Sequence, residues 1–202
     1  MRKWPASARI GPMIDHFATL GQPRRPWLDA EPLKETFHRL SATLHPDVPG
    51  TGDAARFAAV NTAFSVLKEP ASRLRHLLEL TDATGLSKVA APAGELGGLF
   101  MRLAGIRRRL DDLLAKRSAA SSPLTRALRS GDESTLRREL EIVRDALETT
   151  ESAAFAEVRE IDANWPAPEQ SERLAGLCHR LSYLKRWRDQ VGEALFTLSL
   201  PG

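Results

Sequence analysis

The chain has 202 residues, 42% of them hydrophobic and 27% charged, with a formal net charge of +3. Those proportions belong to a folded globular chain and exclude one that is disordered over most of its length. Aromatic residues make up only 6%, runs of Val, Ile and Thr are missing, and Leu, Ala, Arg and Glu dominate, so the expected fold class is all-α.

Residues 1–11 read as an N-terminal extension, basic but interrupted by Pro5, Ser7, Arg9 and Gly11, so no signal peptide is expected. A short helix is expected from Ile14 to Leu20, closed by Gly21 and followed by a loop that carries Pro23 and Pro26. Asp29 is placed to cap a helix from Ala30 to Leu44, with Glu31 near its positive end and Pro32 tolerated in the first turn. Leu33, Phe37, Leu40 and Leu44 recur at helical spacing and draw one apolar stripe.

Pro46 stops that helix, and the loop HPDVPGTGD leads to Asp53, a cap for the next one. There Phe57, Val60, Phe64 and Leu67 draw a second stripe. Two amphipathic helices of similar length joined by a short loop are expected to pack as an antiparallel pair, holding the loop at the tip of a hairpin. Pro70 is expected to end the pair, with a short helix restarting over Ser72–Leu80.

Residues 81–94 lose the periodicity and gather small residues with Pro92 and Gly94, which places a linker there. Beyond it, helices are expected over Glu95–Lys116, Glu133–Ala163 and Glu169–Leu198, with breaks at Ser130-Gly131-Asp132 and Trp165-Pro166. Leu136, Leu140, Val143 and Leu147 form a seam in the second; Leu177, Leu181, Leu184, Val191, Leu195 and Leu198 form one in the third. An antiparallel three-helix bundle over 95–202 follows.

The single cysteine, Cys178, cannot form an intramolecular disulfide, which fits a reducing compartment, and a cytoplasmic location is expected. Cys178 reads as core rather than nucleophile. His16, His38, His45, His76 and His179 show no paired metal-ligand spacing, and no phosphate loop or nucleophile motif is evident. The chain is therefore expected to be no enzyme and to hold no metal or cofactor. No stretch approaches 18 uninterrupted apolar residues, so no membrane span is expected.

The chemistry-bearing element is His45-Pro46-Asp47 at the hairpin tip. Read locally, Pro46 can simply end a helix, with His45 near its negative end. The wider pattern adds to that. Phe17, Leu20-Gly21, Pro23, Leu28-Asp29, Leu33, Phe37, Leu40, His45-Pro46-Asp47, Asn61-Thr62-Ala63-Phe64, Leu67, Pro70, Arg73 and Leu77-Leu78-Glu79-Leu80 stand in an order and spacing that resemble the J-domain of the HscB family of iron-sulfur co-chaperones.

That resemblance implies a J-domain over 12–80 that docks on a DnaK/HscA-type chaperone through His45, Pro46 and Asp47 and stimulates its ATPase. It also implies that the preceding helix presents basic residues to an acidic face; Lys34 and Arg39 answer to this, offset by Glu31 and Glu35, while Val48 stands where the family commonly has Lys. The region 95–202 resembles the family's client-binding domain, which holds the iron-sulfur scaffold protein, IscU. Leu99, Phe100, Met101 and Leu103 match the apolar part of its scaffold-binding helix, whereas Arg stands where that helix carries acidic residues.

Arg107-Arg108-Arg109, with Arg102 and Lys116-Arg117, also invites a nucleic-acid reading. Arg107 and Arg108 are spaced to pair with Asp111 and Asp112, and no aromatic platform accompanies them, so no nucleic-acid partner is expected.

Overall fold

Asp15 starts the first helix by accepting the backbone N–H groups of Phe17 at 2.9 Å and Ala18 at 3.1 Å. That helix, α1 (His16–Thr19), ends at Gly21, whose φ of 60° lies in the left-handed region that glycine adopts without strain. This computed structural model describes residues 14–50, 52–81, 94–117, 123–167 and 169–200, with backbone alone at 95, 116, 117 and 123–129. Among the described residues every regular element is a helix. The expected extension at 1–11, the interior of the expected linker at 81–94 and the side chains of Lys116 and Arg117 lie outside the described residues.

The second helix, α2 (Ala30–Leu44), has the bounds that its stripe and Pro46 predict. The expected cap is different: the Asp29 carboxylate accepts no helix N–H and takes the Trp27 indole Nε1–H at 2.9 Å instead. Asp53 does cap α3 (Ala54–Lys68), accepting the Arg56 N–H at 3.0 Å. Pro70 opens α4 (Pro70–Leu80) rather than standing as a break before Ser72. In the first turn its missing N–H costs nothing, and its fixed φ suits a helix.

These elements pack around α3, which meets α1, α2 and α4. Phe17, Leu20, Leu33, Leu67, Leu74, Leu77 and Leu78 are fully buried. Phe37 and Phe64, one from each arm of the hairpin, stack with centroids 4.0 Å apart. Arg73 is buried as well, its guanidinium donating to the Pro26 carbonyl at 2.9 Å and the Leu67 carbonyl at 2.8 Å. Burial draws its pKa down to about 10, against the pull of Glu69 and Asp162, which leaves it a cation at neutral pH.

The chain divides into two compact units: Met1–Leu86 with Ile161–Ala175, and Ser87–Glu160 with Gly176–Gly202. Asp162 ties its segment into the first unit, accepting the Trp27 N–H at 3.0 Å and pairing with Arg25 at 2.7 Å.

The second unit is built on α5 (Gly94–Arg117) and on most of α6 (Pro123–Ala163) and α7 (Gln170–Ser199), whose adjoining ends belong to the first unit. The break expected at Ser130-Gly131-Asp132 does not occur; α6 runs through it. Gly131 is exposed, and the Ser134 and Thr135 hydroxyls fold back onto the Ser130 and Gly131 carbonyls at 2.9 and 3.0 Å. An interior glycine costs only about 1 kcal/mol against alanine, which a long helix with a buried seam tolerates.

Leu136, Leu140, Val143 and Leu147 are all buried in that seam. The α7 seam is also as expected except that Leu195 is only half-buried, and Trp187, with the fully buried Cys178, joins the core. Arg137 reaches the Leu198 carbonyl, Arg188 meets Glu151 and Arg180 meets Glu157, so α6 and α7 run antiparallel.

Candidate functional site

Helix α2 ends because Pro46 cannot follow it, and the chain turns back through a short ladder of backbone bonds. Val48 N–H donates to the His45 carbonyl at 2.9 Å, Gly52 N–H to the Val48 carbonyl at 3.0 Å, and Asp53 N–H to the Leu44 carbonyl at 3.1 Å. The last bond closes the loop at its base. Leu44 is buried and Asp53 caps α3, so both feet of the loop stand on packed helix ends.

His45, Pro46 and Asp47 are all exposed on this tip; the Asp47 side chain is 89% exposed and that of His45 49%. The His45 ring lies edge-on to Phe57 of α3, centroids 5.3 Å apart, which seats the imidazole without covering it. Asp47 N–H donates to His45 Nδ1 at 3.3 Å. With Nδ1 accepting, the neutral ring carries its proton on Nε2, so it offers a donor while Asp47 offers an acceptor 3.6 Å from Nδ1. A donor and a carboxylate on a proline-stiffened turn suit polar recognition of another protein's surface, with little ordering cost on docking.

Lys34 and Arg39 of α2 are exposed, and so are His38, Glu31 and Glu35. The basic face is therefore mixed, as the sequence has it. In the second unit Phe100 and Met101 are exposed, 48% and 67%, while Leu99 and Leu103 are buried in the α5 seam with Ile106 and Leu110. Phe100 lies 6.1 Å from Trp187, which stacks on Tyr183 at 5.6 Å. These rings, Leu103 and Leu140 line a groove of about 330 Å³ whose lining also includes Arg107 and Arg186.

Arg107 pairs with Asp111 at 3.3 Å, and Arg109 forms a two-pronged ion pair with Glu139 of α6. Two of the three adjacent arginines are thereby engaged within the protein. No described helix is long and apolar enough to cross a membrane.

No family model matches the chain. Over 136 residues it is 34% identical to the co-chaperone protein HscB homolog of Chromobacterium violaceum, covering 63% of this chain and 74% of that one. The chain belongs to the HscB co-chaperone family. It is also 36% identical over 73 residues to the HscB homolog of Azoarcus sp., covering 33% of this chain and 41% of the relative. With the chaperone protein DnaJ of Nostoc punctiforme it shares 37% identity over 90 residues, 42% of this chain but only 22% of that longer protein.

Solved HscB structures carry the same fold. The chaperone HscB of Vibrio cholerae superposes with a TM-score of 0.53 at 16% identity, covering 92% of this chain and 99% of that one. Human HscB gives 0.54 at 14%, covering 90% and 82%. Two features of the site escaped the sequence reading: the seat that Phe57 gives His45, and the place of Trp187 and Tyr183 in the groove. The helical spacing of Tyr183 and Trp187, one turn apart, was the available signal for the second.

Proposed function

We propose that this protein is a J-domain co-chaperone that acts without catalysis of its own. Its segment 12–80 docks on an ATP-bound chaperone of the DnaK/HscA type and favours the conformation that hydrolyses ATP. The observation that carries this reading is the exposure of His45 and Asp47 together on a tip whose feet are fixed by packed helix ends. Lys34 and Arg39 lie on the same hairpin and contribute to encounter with an acidic face.

The region 95–202 we assign to the client, an iron-sulfur scaffold protein of the IscU type. Phe100 is exposed and lines the aromatic groove, and Met101, the next residue of α5, is exposed as well, which supports a protein-binding patch on this helix. Arg107 and Arg186 in the groove lining favour a client that brings carboxylates to that face.

A ligand shifts a conformational equilibrium only by its difference in affinity for the two states. The test is thus the affinity of this chain for the purified chaperone in its ATP-bound and ADP-bound forms. Binding at least about tenfold tighter to the ATP form, near 1.4 kcal/mol, is expected. Equal affinities would rule the mechanism out.

A further inference from the structure

We infer that Gly52 is the positioning residue of the His45-Pro46-Asp47 tip: its bare α-carbon fills a space that no side chain can share. A methyl group there would lie 2.6 Å from the His45 carbonyl oxygen, 2.8 Å from that of Val48 and 2.9 Å from that of Pro46. All three are backbone atoms, so none can rotate aside as a flexible side chain would. The conformation of Gly52 itself is not the reason for glycine, because its φ lies outside the left-handed region that Gly50 occupies at 81°.

The direction of the resulting movement follows from what is anchored. On one side of Gly52, Asp53 is tied to the Leu44 carbonyl and caps α3, and Phe57 N–H holds the Asp53 carbonyl at 2.8 Å. On the other side the tip is held by two turn bonds, Val48 to His45 and Gly52 to Val48. The tip yields first. Displacing the His45 and Pro46 carbonyls lifts the imidazole from its seat on Phe57 and breaks its 3.3 Å bond with Asp47 N–H. Gly52 thus sets the mutual geometry of the imidazole and the carboxylate from outside the tripeptide.

This assignment rests on the chaperone-docking reading of the tip, and its test keeps the two apart. Gly52→Ala is compared with Gly50→Ala, where alanine is strained by the positive φ but its methyl meets nothing within 4 Å. Single-turnover ATP hydrolysis by a purified DnaK-type chaperone is followed against co-chaperone concentration, alongside the thermal midpoint and the NMR contacts between His45 and Phe57.

Gly52→Ala is expected to need at least about tenfold more protein for half-maximal stimulation, a loss of docking affinity. Its His45 and Phe57 signals shift while its midpoint stays within about 5 °C of wild type, and Gly50→Ala stimulates like the wild type. Normal half-saturation with unshifted His45 signals overturns the assignment. So does a Gly52→Ala protein whose deficit simply tracks a lost midpoint, or one that does not fold, since Gly52 would then serve the fold and not the tip. His45→Gln in the same assay separates the claims: if it still stimulates, the docking reading fails; if it is silent while Gly52→Ala is normal, only the role of Gly52 fails.

Discussion

The rings of Phe37 and Phe64 lie face to face, 4.0 Å between centroids and 9° from parallel, and clamp the two arms of the hairpin about two to three turns below its tip. Lys68 adds its ammonium 5.5 Å above the Phe64 ring from the following turn. Both rings are half-buried, so Phe64→Ala should cost about 2–3 kcal/mol, below the figure for a fully buried phenylalanine. Urea unfolding measures it, and a cycle with Phe37→Ala should return a coupling of about 1 kcal/mol from the ring pair.

Arg73 joins the Pro26 loop to the end of α3 by two hydrogen bonds made in the interior. Arg73→Met leaves both carbonyls without that donor and is expected to cost about 2–4 kcal/mol. Arg73→Lys, with one ammonium in place of a fork, should recover only part of this. Thermal midpoints of the three proteins check the order.

The His76 imidazole is buried between α1 and α4, its Nε2 accepting the His16 N–H at 3.1 Å and its ring stacked on Phe17. Nδ1 then carries the proton, 3.9 Å from the Glu79 carboxylate. Burial, and then the neighbouring His16, hold the pKa of His76 below the usual value, outweighing Glu79 and Asp15, with Arg24 adding a little to the depression. Folding therefore favours the neutral ring, and the unfolded chain binds the extra proton. The contribution is complete above the unfolded value of about 6.5 and is lost as pH falls through it toward the lower folded value. The thermal midpoint should drop on acidification from about pH 7.5 to 5.5, and His76→Gln should flatten that dependence. An equal slope in the variant would contradict the assignment.

Phe100→Ala and Met101→Ala should each weaken binding of the scaffold protein by about tenfold or more, the scale of an interface residue worth more than 1 kcal/mol. Stimulation of the chaperone ATPase should stay at the wild-type level. Arg107→Glu should weaken binding further if the client brings carboxylates to the groove. Isothermal titration with purified scaffold protein reads all three; unchanged affinity for Phe100→Ala and Met101→Ala would put the client elsewhere.

The helical hairpin was legible because local chemistry dictates it. The stripes through Leu33 and Val60, the stop at Pro46 and the cap at Asp53 need no distant partner. What escaped depends on side-chain partners that only the folded chain brings together. Asp29 is diverted from capping by the Trp27 indole, and Asp162 meets Trp27 across 135 positions. Ser130-Gly131-Asp132 reads as a break by residue type, yet the buried seam from Leu136 onward carries α6 through it, at a cost of about 1 kcal/mol for the interior glycine. Within the tip itself the tripeptide was visible, but the crowding of three carbonyls around Gly52 exists only once the loop has closed.

Action through the His45-Pro46-Asp47 tip is tested most directly by single-turnover ATP hydrolysis by a purified DnaK-type chaperone, with wild-type protein and His45→Gln side by side. His45 is exposed and makes little of the core, so the variant should keep the wild-type helical signal and thermal midpoint while its stimulation disappears. Undiminished stimulation by a folded His45→Gln protein would contradict the account.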